Sequence, residues 1–316
     1  MYGPGSGAVR NLLSMRANTV IAGVNKAGTT SLFVSLSSHP QVAPAAVKET
    51  RYFLPARYGQ PLEPVSVYES YFEAAGERPV RLEATPSYFY GGRALVDRMI
   101  EVCGAPKAIV VLREPVDRLM SFFSFQKARL RVPEEMTLEE YVATGDTISD
   151  EAFGTDPEAE RWFGFRGGSY ADYLPAWRDA LGDDLRIVFF DALMAEPADV
   201  LYDLSSWLHI DPDAFPAESL SSENRTTGFR NRGFQRVALA FNHRFEKFLR
   251  RHYGLKQRLR AVYYRLNGRK ADESVPDTVR AALRERYREP NARLAEQLRN
   301  MGITELPGWL ETPVRA

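Results

Sequence analysis

A chain of 316 residues, 44% hydrophobic and 26% charged, has the make-up of a folded globular protein with enough material for a full core, which excludes disorder, collagen and a disulfide-stapled miniprotein. Its 41 basic side chains balance 41 acidic ones, so the overall charge gives no cause to expect a nucleic-acid coat. A single cysteine, Cys103, excludes an intramolecular disulfide and an all-cysteine metal site.

The opening MYGPGSGAVRNLLSMR has no apolar run long enough for a signal-peptide core, and no stretch of roughly 18 apolar residues follows anywhere. That pattern predicts a cytoplasmic, non-spanning protein in which residues 1–16 form a flexible N-terminus and 17–310 a single domain. The run Thr19 to Val24 reads as a buried parallel strand, apolar on both faces. It feeds Asn25-Lys26-Ala27-Gly28-Thr29-Thr30 and then a helix carrying Leu32, Phe33 and Leu36 at helical spacing, stopped at His39-Pro40. A short strand near Val80 to Leu82, a turn at Thr85-Pro86 and a helix from Arg93 to Val102 come next. The strand Ala108 to Leu112 runs into Arg113-Glu114-Pro115 and a helix from Val116 to Leu130, with the proline where a first helical turn tolerates it. A helix from Tyr170 to Ala180 precedes a strand from Leu185 to Phe190. Strands and helices alternating in this way predict a parallel α/β sheet flanked by helices. From Gln235 the pattern is helical to about residue 300, broken at Asn267-Gly268.

The loop after the first strand resembles a phosphate-binding loop, yet differs from that of nucleoside triphosphatases, where the lysine follows the second glycine so as to reach the β- and γ-phosphates. Here Lys26 precedes Gly28. Backbone amides and hydroxyls at a helix start favour an anion, Gly28 lets the backbone approach it closely, and Lys26 adds a mobile charge. Taken by itself the loop is equally a plain strand-to-helix turn.

Read together, GVNKAGTTSLF at residues 23–33 and AIVVLREPVDRLMSFFSF at 108–125 resemble the two signatures of sulfotransferases that use 3′-phosphoadenosine 5′-phosphosulfate, or PAPS. The resemblance implies a P-loop-like three-layer α/β fold. It implies that Lys26, Ala27, Gly28, Thr29, Thr30 and Ser31 hold the 5′-phosphosulfate, while Arg113 and Ser121, eight residues apart, hold the 3′-phosphate. Lys48-Glu49-Thr50-Arg51-Tyr52-Phe53 and Glu83-Ala84-Thr85-Pro86-Ser87-Tyr88-Phe89 are similar to blocks of the carbohydrate, heparan sulfate-type branch. There the glutamate matching Glu49 is the catalytic base, and Ala84 stands where many relatives carry lysine. Thr226-Thr227-Gly228-Phe229-Arg230-Asn231-Arg232 resembles the late cofactor loop, which makes Phe229, Arg230 and Arg232 cofactor candidates. Heparan-type relatives close that loop with a disulfide hairpin that a chain with one cysteine cannot make. Tyr287-Arg288-Glu289-Pro290-Asn291 resembles the family's last, helix-breaking block.

The reaction implied is transfer of a sulfuryl group from PAPS to a hydroxyl or amine by in-line displacement, leaving adenosine 3′,5′-bisphosphate and requiring no metal. Lys26 and Glu49 are then the catalytic candidates. A carboxylate is a useful base near neutral pH when burial or neighbouring negative charge raises its pKa; the cofactor's anions supply such charge, and Lys48 and Arg51 oppose it. His39 is the rival base. A phosphoryl-transfer kinase and a non-catalytic nucleotide or polyanion-binding module are the alternative functions. The acceptor implied is a small molecule, a glycan or a lipid-linked metabolite; nucleic acid is the weakest partner, and the oligomeric state is not written in the sequence.

The neutral total hides an asymmetry. From Phe229 to Lys270, ten arginines and three lysines face one glutamate, Glu246, a segment of charge +12. Phe241, Phe245, Phe248, Leu249 and His252 recur there at helical spacing, giving an apolar face beneath a basic one. A packed surface helix, a basic wall for an anionic acceptor, and a peripheral membrane contact through residues 236–270 are its three readings.

Overall fold

The computed structural model describes residues 15–216, 227–229, 268–270 and 275–311. In chain order its main elements are β1 (Thr19–Gly23), α1 (Thr29–Ser37), β2 (Val42–Pro44), β3 (Val80–Ala84), α2 (Gly92–Cys103), β4 (Lys107–Leu112), α3 (Pro115–Ala128) and α4 (Leu138–Asp146). They continue with α5 (Leu174–Leu181), β5 (Leu185–Phe189), α6 (Phe190–Ala195), α7 (Pro197–Leu208), β6 (Thr227–Phe229), β7 (Gly268–Lys270) and α8 (Asp277–Asn300). Short helical turns fill several gaps between them. Contacts divide the described chain into two compact units: residues up to Leu112 with those from Tyr173 to 216, and Arg113–Asp172 with the described residues from 227 on.

The first unit holds a five-stranded sheet in the order β2-β3-β1-β4-β5, with every pairing parallel. All five residues of β1 are buried, as the unbroken apolar run demands for a strand covered on both faces. Helix α1 turns Thr29, Leu32, Phe33 and Leu36 inward; Leu32 and Leu36 are wholly buried, each worth about 2 kcal/mol of transfer free energy. Trp177 of α5 is also fully buried, and its indole N–H donates to the Phe89 carbonyl at 3.0 Å. Because the strands are parallel, their carboxyl ends share one edge. The chain passes leftward from β1 to β2 and β3 and returns to β4 on the other side, which puts the topological switch beside the end of β1.

In the second unit, α3 begins with Glu114 as its cap, the carboxylate accepting the Asp117 N–H at 2.7 Å, and Pro115 in the first turn. Its apolar face joins Tyr141 of α4 and Leu283 and Tyr287 of α8 in one core. Strands β6 and β7 pair antiparallel.

The parallel α/β architecture expected from the sequence is the one that forms. Several details differ. The stretch Tyr170 to Ala180 is a tight turn at Tyr170–Asp172 followed by α5, because Pro175 has no N–H to continue a helix across it and starts a new one instead. Gly268–Lys270 pairs as a strand where a turn was expected. Pro290 lies inside α8 and does not end it, since Tyr287 on one side and Leu294 and Leu298 on the other are anchored in buried packing. The edge strand β2 had no clear sequence signal, whereas the start of α4 is marked by the capping box Thr137-x-x-Glu140, which the sequence expectations did not include. Residues 235–267, expected to be helical, lie outside the described residues.

Candidate active site

The loop that follows β1 keeps one more sheet contact, Val24 N–H to the Val111 carbonyl at 3.0 Å, and then turns. Lys26 and Gly28 both have left-handed backbone, with φ of 73° and 79°. Gly28 caps α1 without any side-chain bond. A Cβ there would stand 3.0 Å from Cδ2 of Phe190, so any larger residue would be strained in its dihedral and would press on that ring. Leu32 is the first residue of α1 to donate one turn back, to the Gly28 carbonyl at 3.1 Å. The amides of Thr29, Thr30 and Ser31 belong to the first turn of α1 and sit at the positive end of the helix. Ala27 differs from the other candidates: its N–H already donates to the Val24 carbonyl at 3.3 Å and serves the turn. Thr29 is buried, whereas Lys26, Thr30 and Ser31 are half-buried.

Glu49 reaches the same sheet edge by another route. Beyond β2 the chain goes on shadowing β3, with Ala45 N–H donating to the Leu82 carbonyl at 2.8 Å and Glu49 N–H to the Ala84 carbonyl at 3.0 Å. The Glu49 carboxylate is 40% exposed and lies between two cations, with Lys48 Nζ 3.1 Å from one oxygen and the Arg51 guanidinium 3.8 Å from the other. Glu49 and Arg51 are left-handed, with φ of 61° and 60°. Among the described residues five non-glycines have positive φ, and three of them are Lys26, Glu49 and Arg51. Backbone strain tends to cluster at functional sites, and here three of the five strained residues fall in loops beyond the carboxyl ends of the sheet strands.

His39 is occupied elsewhere. Its Nδ1 accepts the Gln41 N–H at 3.1 Å, so the neutral ring donates from Nε2 to the Asp211 carbonyl at 2.7 Å, and the side chain is 1% exposed. The rival base is thus a buried cross-tie between residues 41 and 211.

In the second unit Arg113 is half-buried and its carbonyl accepts the Tyr170 hydroxyl at 2.8 Å. Ser121 is buried within α3. Phe229 is described by its backbone alone, as the last residue of β6; Arg230 and Arg232 lie outside the described residues. Among the described residues no group of three histidine, cysteine, aspartate or glutamate side chains is placed to hold a metal ion. The sequence reading passed over Glu83 as one letter of a matched block. It is a fully buried carboxyl, the fourth of the five residues of β3, and a glutamate between the apolar Leu82 and Ala84 was the signal available.

A glycine-bearing loop between a central strand and a helix start, on the carboxyl edge of a parallel sheet, defines an α/β protein whose loop has the geometry to take an anionic group. The sulfotransferase-domain family model matches residues 16–254, and the chain belongs to that family. It is 27% identical over 224 residues to the bifunctional heparan sulfate N-deacetylase/N-sulfotransferase 1 of Caenorhabditis briggsae, covering 67% of this chain and 25% of that protein. It is 30% identical over 122 residues to the membrane-associated sulfotransferase kil1 of Dictyostelium discoideum, covering 39% and 26%. The chain thus spans about a quarter of the length of these curated relatives. A sulfotransferase from Alicyclobacillus acidocaldarius shares the fold with a TM-score of 0.58 at 22% identity, over 66% of this chain and 87% of that one.

Proposed function

We propose that this protein is a PAPS-dependent sulfotransferase that moves a sulfuryl group to a hydroxyl or amine of a glycan, small-molecule or lipid-linked acceptor. The observation that carries the reading is the juxtaposition on one sheet edge of an anion-ready loop, Lys26 to Ser31, and a carboxylate held in a strained turn, Glu49. PAPS supplies the activated sulfuryl group. The acceptor oxygen or nitrogen attacks sulfur while the bond from sulfur to the 5′-phosphate oxygen breaks. Glu49 takes the proton of the attacking group, and the ion pairs from Lys48 and Arg51 fix where its oxygens point. Lys26 and the first-turn amides of α1 stabilise the negative charge that grows on the leaving phosphate. The 3′-phosphate falls to Arg113 and Ser121, and Phe229, Arg230 and Arg232 belong to the adenine side, assignments that rest on the family resemblance.

The carbohydrate branch is favoured by the likeness to a protein named for heparan sulfate N-sulfotransfer. No described helix is long and apolar enough to cross a membrane, and we assign the protein to the cytoplasm, which fractionation of the expressing cell would check.

Calorimetry with adenosine 3′,5′-bisphosphate in chelator is the first test. Binding without metal is expected; a requirement for a magnesium nucleoside triphosphate would turn the reading into a kinase. Glu49→Gln is expected to keep bisphosphate binding and lose most transfer, read as the mass gain of one sulfuryl group on acceptors in a cell extract incubated with PAPS. Near-normal transfer by that variant would remove Glu49 from the mechanism.

A further inference from the structure

Glu83 has no exposure, and its four hydrogen-bond partners among the described residues are all neutral hydroxyls. Oε1 accepts from Thr50 Oγ1, from Thr85 Oγ1 at 2.9 Å and from the Tyr88 hydroxyl at 2.8 Å, while Oε2 accepts from the Tyr68 hydroxyl at 2.7 Å. Burial raises the carboxyl above the usual glutamate range, against the lowering effect of those bonds. It also drives the Tyr68 and Tyr88 phenols well above theirs, and the Glu83 charge adds to this, so both remain O–H donors. The Cys103 thiol closes the far side, donating to the Tyr68 oxygen at 3.8 Å.

The three hydroxyls on Oε1 do a second thing. Thr85 Oγ1 accepts the Arg51 N–H at 3.3 Å, Thr50 Oγ1 accepts the Tyr52 N–H at 3.3 Å, and the Tyr88 oxygen accepts the Phe53 N–H at 3.2 Å. Each hydroxyl has one proton, and giving it to Glu83 turns its lone pairs toward the backbone. Three consecutive amides are thereby tied through three hydroxyls to one carboxyl oxygen. On the other side of the turn, Glu49 N–H is tied to the carbonyl of Ala84, the residue next to Glu83. The left-handed backbone at Glu49 and Arg51 is a conformation that persists only where the surroundings over-determine it, and this relay is what does so.

We propose that Glu83 is a positioning residue for sulfuryl transfer: through Thr50, Thr85 and Tyr88 it holds the turn from Glu49 to Phe53, and so sets where the Glu49 carboxylate meets the acceptor. The inference rests on Glu49 as the base. Its chemistry predicts that any side chain offering an acceptor oxygen at Oε1 will serve, so the amide of glutamine suffices and alanine does not.

The test compares the wild type with Glu83→Gln, Glu83→Ala and Tyr88→Phe, the last keeping the ring in place if alanine at 83 prevents folding. Three quantities are read: amide exchange at 49–53, the Kd for adenosine 3′,5′-bisphosphate, and kcat and KM for PAPS with an extract of acceptors. Glu83→Ala is expected to speed exchange at 51–53 and to lower kcat about 100-fold, the scale of a displacement of about 1 Å in a reacting group. The bisphosphate Kd and the KM for PAPS should stay within about threefold, because the Lys26 loop does not depend on the relay. Glu83→Gln should recover most of the lost kcat, and Tyr88→Phe should fall between. Unchanged exchange at 51–53 in every variant overturns the proposal, as does a loss of turnover matched by an equal loss of bisphosphate-binding sites. If exchange rises as expected while Glu49→Gln keeps near-normal transfer, the base assignment fails and the relay's hold on the turn stands.

Discussion

In the proposed sulfuryl transfer Lys26 and Gly28, two residues apart, divide one task. Gly28 gives access, since its left-handed backbone disfavours a side chain and a Cβ there would crowd the ring of Phe190. Lys26 gives charge, and places it before the helix rather than within its first turn. A charge that matters most as the leaving oxygen becomes negative acts on the transition state more than on the bound cofactor. Lys26→Ala is therefore expected to lower kcat about 10²–10³-fold, or ~3–4 kcal/mol, with a smaller rise in KM for PAPS. A change confined to KM would show that Lys26 merely binds. Gly28, Lys26 and Glu49 were all legible in the sequence, because loop glycines, lysines and matched blocks are local features. The Glu83 relay was not, because it joins Thr50, Tyr68, Thr85 and Tyr88 across a register that only the folded sheet creates.

At the scale of elements, legibility followed hydrophobic pattern. Strands β1 and β4 and helices α1 and α3 were readable within a residue or two, since continuous apolar runs and a proline in a first turn are strong signals. Strand β2 was not: it is three residues long, ends in proline, and exists because the edge of β3 was there to pair with. Helix α8 is the opposite case, an element that overrides a local signal. Pro290 leaves the Arg286 carbonyl without its usual donor, yet the buried side chains of Tyr287 and Leu294 carry the helix across. Replacing Pro290 with alanine is expected to stabilise the protein by about 1–3 kcal/mol, seen as a higher urea midpoint at constant m-value. A lower midpoint would mean that the proline ring itself fills space the helix needs.

For the whole molecule, the buried Glu83 carboxyl makes stability depend on pH with an unusual sign. Its folded pKa lies above the usual glutamate range because of burial, whereas the unfolded chain titrates within that range. Below the unfolded value both states are protonated and its contribution is fully present; as pH rises through the folded value, the charge must be carried in the interior and the contribution is lost. Urea unfolding at a series of pH values is thus expected to show the wild type losing stability relative to Glu83→Gln across that window. Parallel curves would mean that the interior carries the charge as readily as water does.

Cys103 gives the molecule an internal clock. Its thiol is 8% exposed, and burial pushes its pKa up to about 12. Native protein at neutral pH therefore holds almost none of the thiolate that alkylating reagents need. With one such atom in the entire chain, the rate of labelling reports a single event, the opening of the layer where α2 packs, uncontaminated by any other site. Labelling is expected to be slow, independent of reagent concentration at high excess, and accelerated by urea. Fast labelling in buffer would reveal that this layer breathes on its own, ahead of the rest of the fold.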